Sequence, residues 1–144
     1  MKVSSILKGK GRTVVTVRPD ASLASAIREL TEKGIGALVV SEDDRSVRGL
    51  ISERDIVQAL ARFGPLRLDL RVSDVMMAHV VTCHQDDTIT KVMDLMTRHR
   101  VRHLPVVEEG QLRGLVSIGD VVKHRLDELE TETNVLREAF IGRQ

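Results

Sequence analysis

The sequence predicts an α/β (α+β) fold in which two tandem β-α-β-β-α repeats pack with pseudo-two-fold symmetry and a C-terminal helix extension follows. Three observations predict it. First, Gly49-Leu50-Ile51-Ser52-Glu53-Arg54-Asp55-Ile56 returns 65 residues later as Gly114-Leu115-Val116-Ser117-Ile118-Gly119-Asp120-Val121, with Gly, Ser and Asp in the same places. Second, the match extends outward: Val3 to Leu7 aligns with Val72 to Met76, Asp20 to Leu23 with Asp86 to Ile89, and Ile35 to Val40 with Val101 to Val106, at offsets drifting only from 69 to 65. Third, both halves carry strand-like and helix-like apolar spacings in the same order. A unit that cannot bury its apolar face alone gains a core by packing on its copy.

In the first repeat, Thr13 to Val17 is short and β-branched, which predicts a strand, and Pro19-Asp20 ends it. Leu23, Ala26, Ile27 and Leu30 recur at helical spacing before Gly34 stops the helix. Gly36 to Val40 and Val47 to Ile51 predict two strands joined by the polar turn Ser41 to Ser46, and Glu53 to Ala61 predicts the closing helix.

The second repeat follows the same plan. A strand is expected over Val80 to Cys83, a helix over Ile89, Val92, Met93 and Met96, strands over Leu104 to Val107 and Leu112 to Val116, and a helix from Ile118. The expected boundaries are residues 2–61 for the first repeat, 62–70 for a linker opened by Gly64-Pro65, 71–126 for the second repeat and 127–144 for the extension. In the last helix Val122, Leu126, Leu129, Thr133, Leu136 and Phe140 alternate by four and three residues. That heptad spacing suits either a helix folded back on its own domain or a dimer contact.

Composition narrows the function. With 22 basic and 21 acidic side chains in 144 residues, no global field draws in nucleic acid or an anionic membrane. Phe63 and Phe140 are the only aromatic residues, so the stacking platforms of single-strand binders are missing. No run approaches the ~20 apolar residues of a membrane span, and a single cysteine fits a reducing compartment, so a cytoplasmic location is expected. The five histidines and Cys83 show no tetrahedral-site spacing, so no metal is expected. Lys8-Gly9-Lys10-Gly11-Arg12 lacks the Gly-Lys-Ser/Thr ending of a phosphate-binding loop and predicts a solvated loop.

Ser52 and Asp55, like Ser117 and Asp120, stand three residues apart where a strand enters a helix, on one face of the first turn. A carboxylate there can accept hydrogen bonds from a vicinal diol, and helix N-terminal amides suit a phosphate. The same pattern is equally a helix cap. No nucleophile stands beside an orienting base, so no enzyme is expected.

The paired segments Gly49 to Ile56 and Gly114 to Val121, with Pro19-Asp20-Ala21-Ser22 and His103-Leu104-Pro105-Val106-Val107, resemble the tandem cystathionine β-synthase (CBS) domain pair, or Bateman module, in its stand-alone bacterial form. The resemblance implies a non-catalytic regulatory module that binds AMP, ATP or a related adenosine ligand such as NAD between its repeats and works as a homodimer. It implies Asp55 and Asp120 as ribose ligands supported by Ser52 and Ser117. Thr16, Val17, Thr82 and Cys83 would line the adenine, with Ile35, Ala37, Val101 and Leu104 as apolar walls. Arg102, His103 and Arg54 would face phosphate, and each cleft would combine one half's Thr with the other half's Ser and Asp. Because Gly36 and Ala37 match Arg102 and His103, the two clefts should be unequal. The alternative is a ligand-independent scaffold that recruits a partner enzyme or transporter through its C-terminal helix.

Overall fold

In the computed structural model, which describes residues 1–142, the first repeat forms a three-stranded sheet of order β1-β2-β3. Strand β1 (Thr16–Val17) runs parallel to β2 (Ala37–Val40), which pairs antiparallel with β3 (Gly49–Ser52) in the register Ala37 to Ser52 through Val40 to Gly49. A parallel pair needs a crossover, and helix α2 (Leu23–Lys33) supplies it. Ser22 caps α2 by accepting the Ser25 amide, and Gly34 ends it in the left-handed conformation, φ 62°. Helix α3 (Glu53–Phe63) follows β3 directly.

Two short helices stand outside the expected plan. Residues Val3–Lys10 form α1 and Val72–Val75 form α4, so each repeat begins with a helix. Lys8 to Lys10 therefore belong to a helix and only Gly11 and Arg12 to the loop expected there. These helices change sides. Val3, Ile6 and Leu7 of α1 are buried among Cys83, Ile89, Val92, Leu104, Val106 and Val116, the core of the second repeat. Val72 of α4 is buried among Leu23, Leu38, Val40, Ile51 and Ile56, the core of the first. At about 1.5–3 kcal/mol for each fully buried aliphatic side chain, the exchange ties the stability of each repeat to the other.

In the second repeat α5 (Ile89–His99) is capped by Thr88, and β4 (His103–Glu108) and β5 (Gln111–Ser117) form a hairpin closed by Glu109 and Gly110, both at positive φ. The strand expected over Val80 to Cys83 is reduced to one parallel bridge between Cys83 and Val106, in which the Cys83 amide donates to Pro105 O and Cys83 O accepts from Val107. The strand expected over Thr13 to Val17 keeps only its last two residues. The short apolar runs predict strand type but not how many residues find a partner.

A third apolar cluster joins the halves. Ala37, Val39 and Leu50 face Val80, Leu112 and Leu115 of the second repeat. Beside it Leu50 and Met77 exchange both backbone hydrogen bonds, at 3.0 and 2.8 Å, and the Leu112 amide donates to Arg45 O at 2.7 Å.

Helix α6 (Ile118–Ile141) has Val121 as its buried residue, and residues 129–142 are exposed along their whole length. The folded-back alternative therefore fails for the outer half of the helix. Leu126, Leu136 and Phe140 of the heptad stripe stand 61%, 70% and 68% exposed. Among the described residues no helix is long and apolar enough to cross a membrane.

Candidate functional site

The repeated motif builds the same local device twice. Ser52 ends β3 and caps α3: its Oγ accepts the Asp55 amide at 3.3 Å, and Asp55 Oδ2 accepts both the Ser52 amide and the Ser52 hydroxyl at 2.9 Å. Ser117 and Asp120 repeat this at the start of α6, with 3.2 Å for the amide-to-hydroxyl bond and 2.9 and 3.0 Å for the bonds to Oδ2. These are capping boxes, worth about 1 kcal/mol each. Capping and ligand binding do not compete for the same atom, since among the described residues Asp55 Oδ1 accepts no protein hydrogen bond.

Around the first motif lies a cleft of about 720 Å³. The first repeat contributes Gly36, Leu50, Ser52, Glu53, Arg54, Asp55 and Gln58, and Met77, Arg100, Val101, Arg102 and His103 come from beyond the linker. The cleft thus lies between the halves, as expected of a site built by duplication. The guanidinium groups of Arg54, Arg100 and Arg102 make no ion pair and no hydrogen bond among the described residues, while Asp55 and Glu53 bring acidic charge to the same walls. Unpaired arginines offer planar, bidentate donors suited to phosphate.

His103 lies over Gly36, where an added Cβ would sit 3.6 Å from its Cε1. Burial first, and then the nearby Lys10 ammonium, pull its pKa below the usual histidine range, so at neutral pH the ring is uncharged. It can donate or accept one hydrogen bond to a ligand, but it adds no charge.

The second motif is differently occupied. Asp120 Oδ2 also accepts from Lys10 Nζ at 2.7 Å, and Lys10 Nζ donates in addition to Leu115 O at 2.9 Å. Burial pushes the Asp120 carboxyl up, but the hydrogen bonds from Lys10 and the Ser117 amide outweigh it and hold the group below the usual carboxylate range.

Of the fifteen residues singled out in the sequence, Ser52, Arg54, Asp55, Val101, Arg102 and His103 line the cleft between the halves, while Ser117 and Asp120 form the second motif. Val17, Ala37, Cys83 and Leu104 are buried in the cores or the seam, and Ile35 is half-buried against the first core. The Thr16 hydroxyl donates to Asp44, and Thr82 is exposed; neither lines this cleft. Val17 O is engaged by the Ser41 amide. Burial, with Asp87 and Glu108 nearby, pushes the Cys83 thiol up to about 12, so it stays protonated and unreactive at neutral pH.

Sequence reasoning missed Arg100 and Lys10. Arg100 stands where the first repeat has Gly34, and it adopts the same left-handed conformation, φ 55°, that glycine takes without a steric cost. The signal was present as an arginine replacing a helix-ending glycine in an aligned repeat. Arg100→Gly is expected to raise stability by about 1 kcal/mol, read as a higher urea midpoint with unchanged slope. An unchanged or lower midpoint would show that the arginine is not strained.

The comparisons with known proteins give the family and the fold. The model of the CBS domain matches residues 7–62 and again 72–127. The CBS-domain containing protein ATU1752 from Agrobacterium tumefaciens is 46% identical, with a TM-score of 0.83 over 87% of this chain and 99% of that one. The mitochondrial CBS domain-containing protein CBSX3 of Arabidopsis thaliana is 30% identical over 97% of this chain and 72% of its own length. At 22% identity, the CBS domain pair of protein MJ0100, solved in complex with 5′-methylthioadenosine and S-adenosyl-L-methionine, shares the fold with a TM-score of 0.79 over 89% of this chain and 98% of that one.

Proposed function

The chain belongs to the CBS domain family, and from that premise we propose that it is a non-catalytic sensor whose cleft at Ser52 and Asp55 binds an adenine nucleotide. The single observation that carries this is one carboxylate oxygen left free by its own capping box, in a cleft it shares with three guanidinium groups unpaired among the described residues. Asp55 Oδ1 is suited to the ribose diol, Arg54, Arg100 and Arg102 to phosphate, and Val101 and Leu50 to an apolar purine face. About 720 Å³ falls within the range of small-molecule sites. The adenosine ligands in the MJ0100 pair support the chemical class, which covers AMP, ATP and NAD.

Binding between two halves biases their relative arrangement whenever the ligand prefers one geometry, and this is the work assigned to the module. The unpartnered stripe Val122, Leu126, Leu129, Leu136 and Phe140 on α6 supports a homodimer as the form that reads out that change. Sedimentation is expected to give twice the 16.0 kDa chain mass, whereas a single-chain mass at tens of micromolar contradicts the dimer. A free buried cysteine supports a reducing, cytoplasmic setting.

Calorimetric titration of the purified protein with AMP, ATP and NAD is expected to give saturable binding of at least one of them. Asp55→Ala leaves the diol unpaired and should weaken that binding by about 1–3 kcal/mol, roughly 5- to 150-fold. An unchanged affinity in Asp55→Ala, or no binding of any of the three, contradicts the reading.

A further inference from the structure

The two motifs are chemically alike, and among the described residues each leaves Oδ1 of its aspartate without a protein hydrogen bond, but only Asp120 carries an ammonium partner. Asp55 bonds Ser52 alone, whereas Asp120 bonds Ser117 and Lys10 together. Lys10 is the last residue of α1, and α1 is held in place by Val3, Ile6 and Leu7, each 0–1% exposed in the second core. Its ammonium group is thereby delivered from a fixed helix end onto Asp120 at 2.7 Å, with a second bond to Leu115 O at 2.9 Å. The side chains of the pair are 38% and 23% exposed, so the contact is partly shielded from water. Under the repeat alignment the residue matching Lys10 is His79, which is exposed and absent from the walls of the first cleft.

We propose that Lys10 is a built-in occupant of the second motif, holding the sugar position at Asp120 so that each chain takes one nucleotide, at Asp55. The inference rests on the nucleotide reading given above and adds what makes the two motifs unequal. A neutral hydroxyl of a ribose donates a weaker bond to a carboxylate than an ammonium does, so a diol reaching Asp120 meets a carboxylate whose charge Lys10 already neutralises, and taking both of its oxygens displaces a charge-assisted hydrogen bond. The first motif asks nothing comparable of its ligand. The contact is a latch on one site, carried by a helix that belongs in sequence to the other repeat.

The test is the stoichiometry of AMP binding by calorimetry, for the wild type, Lys10→Met and the double variant Lys10→Met/Asp55→Ala. Methionine keeps an unbranched side chain, one atom shorter, and removes the charged end with its donors, and circular dichroism checks that each variant is folded. One AMP per wild-type chain, two per Lys10→Met chain and one per double-variant chain are expected. Two AMP per wild-type chain, or one per Lys10→Met chain at wild-type affinity, overturns the latch and leaves the nucleotide reading of the first cleft standing. Loss of AMP binding in Lys10→Met overturns it in the opposite sense, by making Lys10 a phosphate ligand. No binding by any form removes the nucleotide reading and the latch with it.

Discussion

Leu7→Ala is expected to destabilise the whole chain by about 2–5 kcal/mol, the range for emptying a fully buried leucine site, although Leu7 lies near the N-terminus in an eight-residue helix without a side-chain cap. The reason is its destination. Leu7 is 1% exposed, packed in the core of the second repeat, and its Cδ2 stands 2.6 Å from where a Cβ on Gly114 would be. Since typical domain stability is about 5–15 kcal/mol, this loss removes a large share of it. Urea unfolding followed by circular dichroism measures the effect. A shift below about 0.5 kcal/mol would mean that α1 does not belong to the second core. A cycle sharpens the test. Gly114→Ala overpacks the same spot, but in the Leu7→Ala background the new methyl group enters the space left behind. The two costs should then be less than additive, with a coupling of about 0.5–3 kcal/mol.

Gly49→Ala carries the second large effect, about 1–3 kcal/mol or more, and should exceed that of Gly114→Ala. The reason is what surrounds the new Cβ. At Gly49 it would meet Met76 Sδ at 2.6 Å and the Met77 carbonyl oxygen at 2.8 Å, whereas at Gly114 its nearest neighbours are the methyl ends of Leu7. A side chain can change rotamer, but a carbonyl moves only with its backbone. The Met77 backbone is bonded both ways to Leu50, and Met77 lines the ligand cleft. Gly49→Ala should therefore also weaken nucleotide binding while touching no ligand. Equal stability losses at Gly49 and Gly114 would show that the Met77 carbonyl yields as easily as a leucine methyl.

The glycine that opens each repeated motif is thus explained by the helix that crosses over from the other repeat. Leu7 and Met76 are aligned residues in α1 and just past α4, and each covers the other repeat's glycine. The recurrence of Gly in the motif and the match of Val3 to Leu7 with Val72 to Met76 are both visible in the sequence. That the two features touch is not, because local periodicity carries no address for a contact between separate elements, whether from Met76 back to Gly49 or from Leu7 forward to Gly114. α4 has four residues, too few to show a helical period, and neither helix has a Ser, Thr, Asp or Asn at its cap position.

Elements whose apolar pattern matched their surroundings were legible. Helices α2 and α5 have strong stripes and true caps at Ser22 and Thr88, and β2 and β3 are buried runs bounded by a polar turn. The strand expected over Val80 to Cys83 shows the limit, since Val80 faces the seam and only Cys83 reaches β4. In the cleft, Ser52 and Asp55 could be singled out because polar groups beside a strand end stand out from the pattern, whereas Arg54 and Arg102 are marked by the family resemblance. Arg100 stood hidden because a residue after a helix is ordinarily read as a stop signal, and Lys10 because a glycine-flanked lysine reads as a solvated turn.

A crystal structure grown with AMP bears most directly on the central claim that the carboxylate freed by the Ser52 capping box receives a sugar. The predicted result is one AMP between the halves, its ribose diol within hydrogen-bond distance of Asp55 and its phosphate among Arg54, Arg100 and Arg102. AMP bound with its ribose away from Asp55, or a cleft holding only solvent at saturating AMP, would contradict it.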